Sequence, residues 1–167
     1  LTVTDGAASL TVNEAVGVEV LEPIGSALPI MESFEDISSL TGPGWTIGDP
    51  EGDGGFVLNT TTGATGEQCV ELSNGPATYG HQDELISGTF DLSGVTAVEM
   101  SFRYAYARRD GTNDDFLRVF VSNNCGSTWS LRKQLFASST LPTAPDHLGT
   151  FVPEAEEWGE SVITTIG

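Results

Sequence analysis

The chain has 167 residues, enough for one substantial core with little left for a second complete domain, so one main domain plus a fragment is the expected count. Twenty-four acidic residues against six basic ones give a formal charge of -18, which repels phosphate backbones and anionic lipid and argues against nucleic acid as a partner. No apolar run approaches the roughly 18 residues that read as a membrane span, and the opening LTVTDGAASLTV lacks the basic and apolar regions of a signal peptide, as expected of a mature or internal piece.

Helix signals are almost absent, and short β-branched and aromatic runs separated by Gly, Asn, Asp and Pro recur throughout, an all-β pattern. Residues 1–25 read as the closing hairpin of an upstream domain followed by a linker. Beyond them the expected strands are 30–34, 45–48, 55–59, 68–72, 83–92, 98–106, 115–122, 129–136 and 160–166. Turn chemistry separates them at Gly42-Pro43-Gly44, Gly52-Asp53-Gly54-Gly55, Asn74-Gly75-Pro76 and Asp110-Gly111. In 98–106, Val98, Met100, Phe102, Tyr104 and Tyr106 alternate with Glu99, Ser101, Arg103 and Ala105, giving one apolar face. In 115–122, Leu117, Val119 and Val121 share one face, and Phe116, Arg118 and Phe120 share the other. The outer face is therefore expected to meet a loop, a ligand or another domain. Arg118 and Phe120 on this strand, with Tyr104 on the preceding one, are the candidate ligand-binding residues.

The basic residues Arg103, Arg108, Arg109, Arg118, Arg132 and Lys133 all lie beyond residue 102. The simplest expectation is that they pair with surrounding carboxylates; the alternative is a receptor patch for an acidic ligand. Cys69 and Cys125 belong to no CxxC or His-containing cluster, which argues against zinc and thioredoxin-like chemistry and leaves their pairing to geometry.

There is no G-x-S-x-G elbow, P-loop, H-E-x-x-H or dinucleotide fingerprint, so no catalytic residues are assigned. His81 and His147 read as surface or loop-packing residues. Calcium is the cofactor the acids suggest, because it takes several hard oxygens from short turning loops. Asp49, Glu51 and Asp53 sit at alternate positions in a loop rich in glycine, and Asp110, Asn113, Asp114 and Asp115 cluster in a second loop. Neither follows EF-hand spacing, and acidic turns also arise for local reasons. Trp45, Trp129, Trp158, Tyr79, Tyr104 and Tyr106 are the aromatics able to stack on a sugar ring, although a sandwich core absorbs most such side chains.

Several short motifs then occur in order: Ser33-Phe34-Glu35-Asp36, Gly44-Trp45-Thr46-Ile47, Asp83-Glu84-Leu85-Ile86-Ser87 and Phe90-Asp91-Leu92-Ser93-Gly94. They continue with residues 101–107 (SFRYAYA) and 119–129 (VFVSNNCGSTW). Together, over about residues 30–167, they resemble the MAM-like jelly-roll module related to cleaved-adhesin and choice-of-anchor domains of secreted Bacteroidetes proteins. The likeness extends to the modules that follow the PKD repeat of pappalysin-type (cytophagalysin-like) zinc metallopeptidases. The opening LTVTDGAASLTV resembles the end of a PKD-type immunoglobulin-like repeat.

The resemblance implies a calcium-bound accessory β-sandwich outside the cell, exported by type IX secretion. The zinc motif of those peptidases is not in this chain, so peptidase activity does not carry over. The family closes with two further strands where this chain ends at Thr164-Thr165-Ile166-Gly167. A longer polypeptide, or a strand from another segment, is therefore expected to complete the sheet.

The expectation is thus an all-β jelly-roll sandwich of two antiparallel sheets over 26–167, preceded in 1–25 by the end of a PKD-type domain. Its expected role is a non-catalytic binding, adhesion or spacer module of a secreted or cell-surface protein. An extracellular glycan or protein, or neighbouring domains, would be its partners. The alternatives are a carbohydrate-binding module of a secreted hydrolase, or part of a secreted metallopeptidase whose catalytic domain lies elsewhere.

Overall fold

Short apolar runs cut by Gly, Asp and Asn can build only short strands, and short strands make up this molecule. The computed structural model describes residues 25–41, 44–74 and 80–164, with the backbone of Thr2–Thr4 and Ser9–Thr11. In chain order the strands are β1 (Thr2–Thr4), β2 (Ser9–Thr11), β3 (Ser26–Ala27), β4 (Trp45–Gly48), β5 (Val57–Asn59) and β6 (Cys69–Glu71). They continue as β7 (Glu84–Ser87), β8 (Phe90–Asp91), β9 (Met100–Tyr104), β10 (Phe116–Val121), β11 (Ser130–Phe136) and β12 (Gly159–Ile163). A single 3-10 turn, Ala155–Glu157, precedes β12, and no α-helix occurs among the described residues. The chain is all-β.

Among the described residues the strands pair as six two-stranded sheets rather than the two larger ones expected. Five pairs are antiparallel: β1 with β2, β4 with β7, β5 with β6, β9 with β12, and β10 with β11. The sixth, β3 with β8, is parallel. The pairings nest, since β3–β8 encloses β4–β7, which encloses β5–β6, while β9–β12 encloses β10–β11. The enclosing pairs β3–β8, β4–β7 and β9–β12 join strands far apart in sequence, so no hairpin signal announces them, whereas β1–β2, β5–β6 and β10–β11 join consecutive strands.

Two expected strands take other forms. The segment 30–34 is not a strand, because Phe34 has φ 64, outside the extended region. Side chains hold the backbone there instead: Phe34 N–H donates to Glu32 Oε1 at 2.6 Å, and the Glu35 carboxylate accepts from the N–H groups of Glu67 and Gln68 at 3.0 and 2.7 Å. The expected strand 83–92 breaks into β7 and β8 after Gly88, whose N–H extends the β4–β7 ladder to the Gly44 carbonyl at 2.7 Å, because β8 then pairs with β3 instead. The expected end of 160–166, and Gly42-Pro43, Gly75-Pro76 and Tyr79, lie outside the described residues.

Among the described residues the buried ones are Leu135 on β11, Ala137 and Leu141 in the turn that follows it, Ser161 and Ile163 on β12, and Leu40. That turn is tight because the Phe136 carbonyl accepts from the N–H groups of Ser139, Thr140 and Leu141. The segment after β9 is tied down next to it: Tyr106 and Thr143 exchange backbone and hydroxyl bonds, and His147 N–H donates to the Arg108 carbonyl at 2.7 Å. Among the described residues fifteen large apolar side chains are exposed, including Phe116, Phe120, Trp129, Leu131 and Phe136 on or beside the β10–β11 ribbon. Apolar residues gathered this way on one ribbon usually mark a contact surface.

Candidate functional site

The loop after β4 begins as an acidic turn. Asp49 accepts three backbone bonds, from Gly52 and Asp53 at Oδ1 (2.7 and 3.2 Å) and from Gly54 at Oδ2 (3.0 Å). Gly52, Gly54 and Gly55 have φ values of 71, 133 and 42, a conformation L side chains rarely adopt, so the glycines let the loop close around the carboxylate. These bonds, the Gly54 N–H first among them, hold the Asp49 carboxyl below its ordinary pKa.

The register of the β4–β7 ladder brings in the third acid. Gly48 stands opposite Glu84, so the chain just beyond one strand end, Asp49, meets the chain just before the other, Asp83. One ligand atom from each of Asp49, Asp53 and Asp83 lies within 4.8 Å of the others, the one such group among the described residues. Asp83 Oδ1 is buried without a hydrogen-bond partner. A Cβ added at Gly55 would sit 3.6 Å from that oxygen and 3.1 Å from Ile47 Cγ2, so the glycine keeps the space beside it open. Desolvation, then the carboxylates of Asp53, Asp49 and Glu51, pushes the Asp83 carboxyl upward.

His81 completes the cluster, its Nδ1 2.9 Å from Asp53 Oδ2. That hydrogen bond is the largest cause raising its pKa, so the imidazolium partly offsets the acids when protonated. Asp53 and Asp83 also line a shallow depression with Gly55, Val57, Leu72 and Ser73. The structure therefore brings Asp49 and Asp53 together, leaves Glu51 at the exposed rim, and adds Asp83 and His81, which sequence reasoning had not assigned to a site. The run His81-Gln82-Asp83-Glu84 was a visible signal, but only the β4–β7 pairing gives it a destination.

The second acidic loop uses its oxygens locally. Asp110 Oδ1 accepts from the Thr112 N–H and hydroxyl at 2.7 and 2.5 Å, and Asn113 Oδ1 accepts from the N–H groups of Arg109 and Asp110 at 2.9 and 3.1 Å. Asp115 Oδ2 takes the Tyr106 hydroxyl at 2.6 Å, and burial followed by that bond pushes the Tyr106 pKa far upward. Asp114 is exposed. These four residues form no convergent acidic group among the described residues.

Of the candidate ligand residues, Arg118 and Phe120 share the outer face of β10, whereas Tyr104 lies on β9 with its hydroxyl on the Thr140 carbonyl at 3.2 Å. Trp45 packs against Phe34, with ring centroids 5.4 Å apart, and Trp158 is half-buried, while Trp129 is exposed. Most cations do not pair with the acids around them. Among the described residues Arg108 is the one Arg or Lys in an ion pair, with Asp146 at 2.8 Å, and Arg109 donates to the Asn74 carbonyl at 3.1 Å. His147 is a loop-packing residue, its Nε2 3.1 Å from the Thr150 carbonyl. Cys69 and Cys125 are free thiols.

No protein family, curated protein or solved structure matches the chain.

Proposed function

We propose that this chain is a non-catalytic binding or spacer module of a larger secreted or cell-surface protein, with a loop cluster stabilised by calcium. The observation that carries the reading is the buried, unpartnered Asp83 Oδ1 facing Asp49 and Asp53. A buried carboxylate oxygen without a donor is costly, and a hard divalent cation is the partner suited to it and to two further carboxylates. Asp49, Asp53 and Asp83 would hold the ion, which supplies the positive charge that the cluster otherwise has only in protonated His81. The antiparallel pairs that nest, β4–β7 around β5–β6 and β9–β12 around β10–β11, favour a jelly roll, because that fold pairs its strands from the outside inward, whereas the parallel β3–β8 pair is not a rung of such a hairpin. The ordered motifs of the MAM-like and cleaved-adhesin modules favour an extracellular home.

Thermal unfolding of the chain with calcium and with chelator tests this. A melting temperature that climbs with calcium concentration is expected, and a melt indifferent to calcium sinks the metal site. The carbohydrate-binding alternative is favoured by one feature, the exposed Trp129, and a glycan array with a Trp129→Ala control tests it.

A further inference from the structure

We infer that the outward face of the β10–β11 ribbon docks an extended acidic protein segment in which a carboxylate is flanked, at alternate positions, by apolar side chains. This deepens the binding-module reading and rests on it.

The ladder pairs Phe116 with Phe136, Arg118 with Gln134, and Phe120 with Leu131. Alternation puts Phe116, Arg118 and Phe120 on one face of β10, and the ladder sets Phe136, Gln134 and, past the bulge at Arg132, Leu131 beside them, while Leu117 and Leu135 turn inward. The four apolar members are 44 to 48% exposed. The face therefore reads apolar, cationic, apolar, in rows roughly 6.5–7 Å apart because side chains on one face recur every second residue. An extended chain has that same spacing, so one carrying apolar, acidic, apolar side chains at alternate positions meets the face row for row.

Charge selects the sign of the middle row. The six residues of β10 and seven of β11 include Arg118, Arg132 and Lys133 and no acid, in a chain whose net charge is -18. The register shift at Val119/Phe120 adds Arg132 as an unpaired, exposed residue beside the face. Arg118 stacks with its Cζ 3.9 Å from the centre of the Phe116 ring and makes no hydrogen bond or ion pair among the described residues. A guanidinium stacked in this way keeps its N–H groups for a carboxylate. A neutral glycan leaves that charge unanswered, and a second copy docked face to face sets Arg118 against Arg118.

The test uses the whole chain and a fluorescent peptide carrying phenylalanine, aspartate and phenylalanine at alternate positions with threonine between, beside a control with lysine for aspartate. Binding of the aspartate peptide is expected, weaker by about ten-fold or more for the lysine peptide and for Arg118→Glu, and partly restored when Arg118→Glu meets the lysine peptide. Arg118 is exposed, so its variant should melt like the parent. Equal binding of the two peptides, or none, overturns the proposal. So does a dimer of the free chain that dissociates on Phe120→Ser, because the face is then a self-contact. Binding to a glycan array without peptide binding overturns the docking proposal and leaves the binding-module reading; silence on both probe types overturns the docking proposal and the binding half of that reading, leaving a spacer.

Discussion

The two acidic loops 49–55 and 110–115 carry three carboxylates each and differ in where their oxygens go. In 110–115 Asp110, Asn113 and Asp115 turn back on nearby backbone and on Tyr106, and Asp114 faces solvent. In 49–55 Asp49 is satisfied in the same local way, yet the loop also faces Asp83, which brings an oxygen with no donor. An acidic loop is thus a turn until a residue from elsewhere leaves it with unmet charge. The comparison teaches that the third acid, rather than the loop's own composition, separates a candidate cation site from a solvated turn.

The largest expected effect tests that distinction directly. Asp83→Asn should erase the calcium stabilisation, about 2.7 kcal/mol at calcium a hundred-fold above Kd, while Asp115→Asn should leave it intact; calorimetry with and without chelator decides. A calcium shift that survives Asp83→Asn and disappears in Asp115→Asn would reverse the comparison. Next in size, Gly55→Ala forces a left-handed alanine into contact with Ile47 and narrows the space at Asp83 Oδ1. It should cost about 1–3 kcal/mol in urea unfolding and weaken the calcium response. In the other loop, Tyr106→Phe removes the hydroxyl bond to Asp115 and should cost about 1.5 kcal/mol with no change in calcium response.

The pH dependence sharpens the contrast further. Asp83 and His81 both have folded pKa values raised above 3.8 and 6.5, respectively. Each contribution to stability is fully present below the unfolded pKa and lost as pH rises through the folded value. Without calcium, the Asp83 contribution should decline as it ionises and the His81 contribution as it loses its proton. Asp49, Asp91 and Asp110, whose pKa values are lowered, act the opposite way, their stability present above 3.8 and lost as pH falls. Calcium should oppose the Asp83 and His81 declines, and His81→Gln should flatten the second, both read from melting curves across about pH 4 to 8. The smallest effect belongs to Arg108→Ala. Its ion pair with Asp146 is partly exposed, so a loss within about 1 kcal/mol is expected, and a larger one would make the 105–109 and 140–147 contact more important than either acidic loop.

How far the sequence could be read follows from how local each signal was. The strand 45–48 is legible to the residue, since Trp45–Gly48 is bounded by turn residues on both sides. The strands within 98–106 and 115–122 are legible by alternation but shorter at their ends, where their ladder partners run out. The segment 30–34 misled because its apolar residues fit a strand while the Glu32 and Ser33 side chains capture the N–H groups of Phe34 and Glu35. At the site, Asp49, Asp53 and the glycines were legible as an acidic turn, and the outer face of β10 as a surface needing cover. Asp83 was not, since its role depends on a pairing between distant strands.

The sequence by itself determined that this protein is all-β, that alternation gives β10 two unlike faces, and that glycines shape the 49–55 loop, because side-chain period and backbone conformation are properties of neighbouring residues. Tertiary structure decided which acid reaches which loop, which cations stay unpaired, and that Phe136 and Leu131 join Phe116 and Phe120 on one face. Those outcomes depend on the register of β4 with β7 and of β10 with β11, which is fixed only when the strands meet.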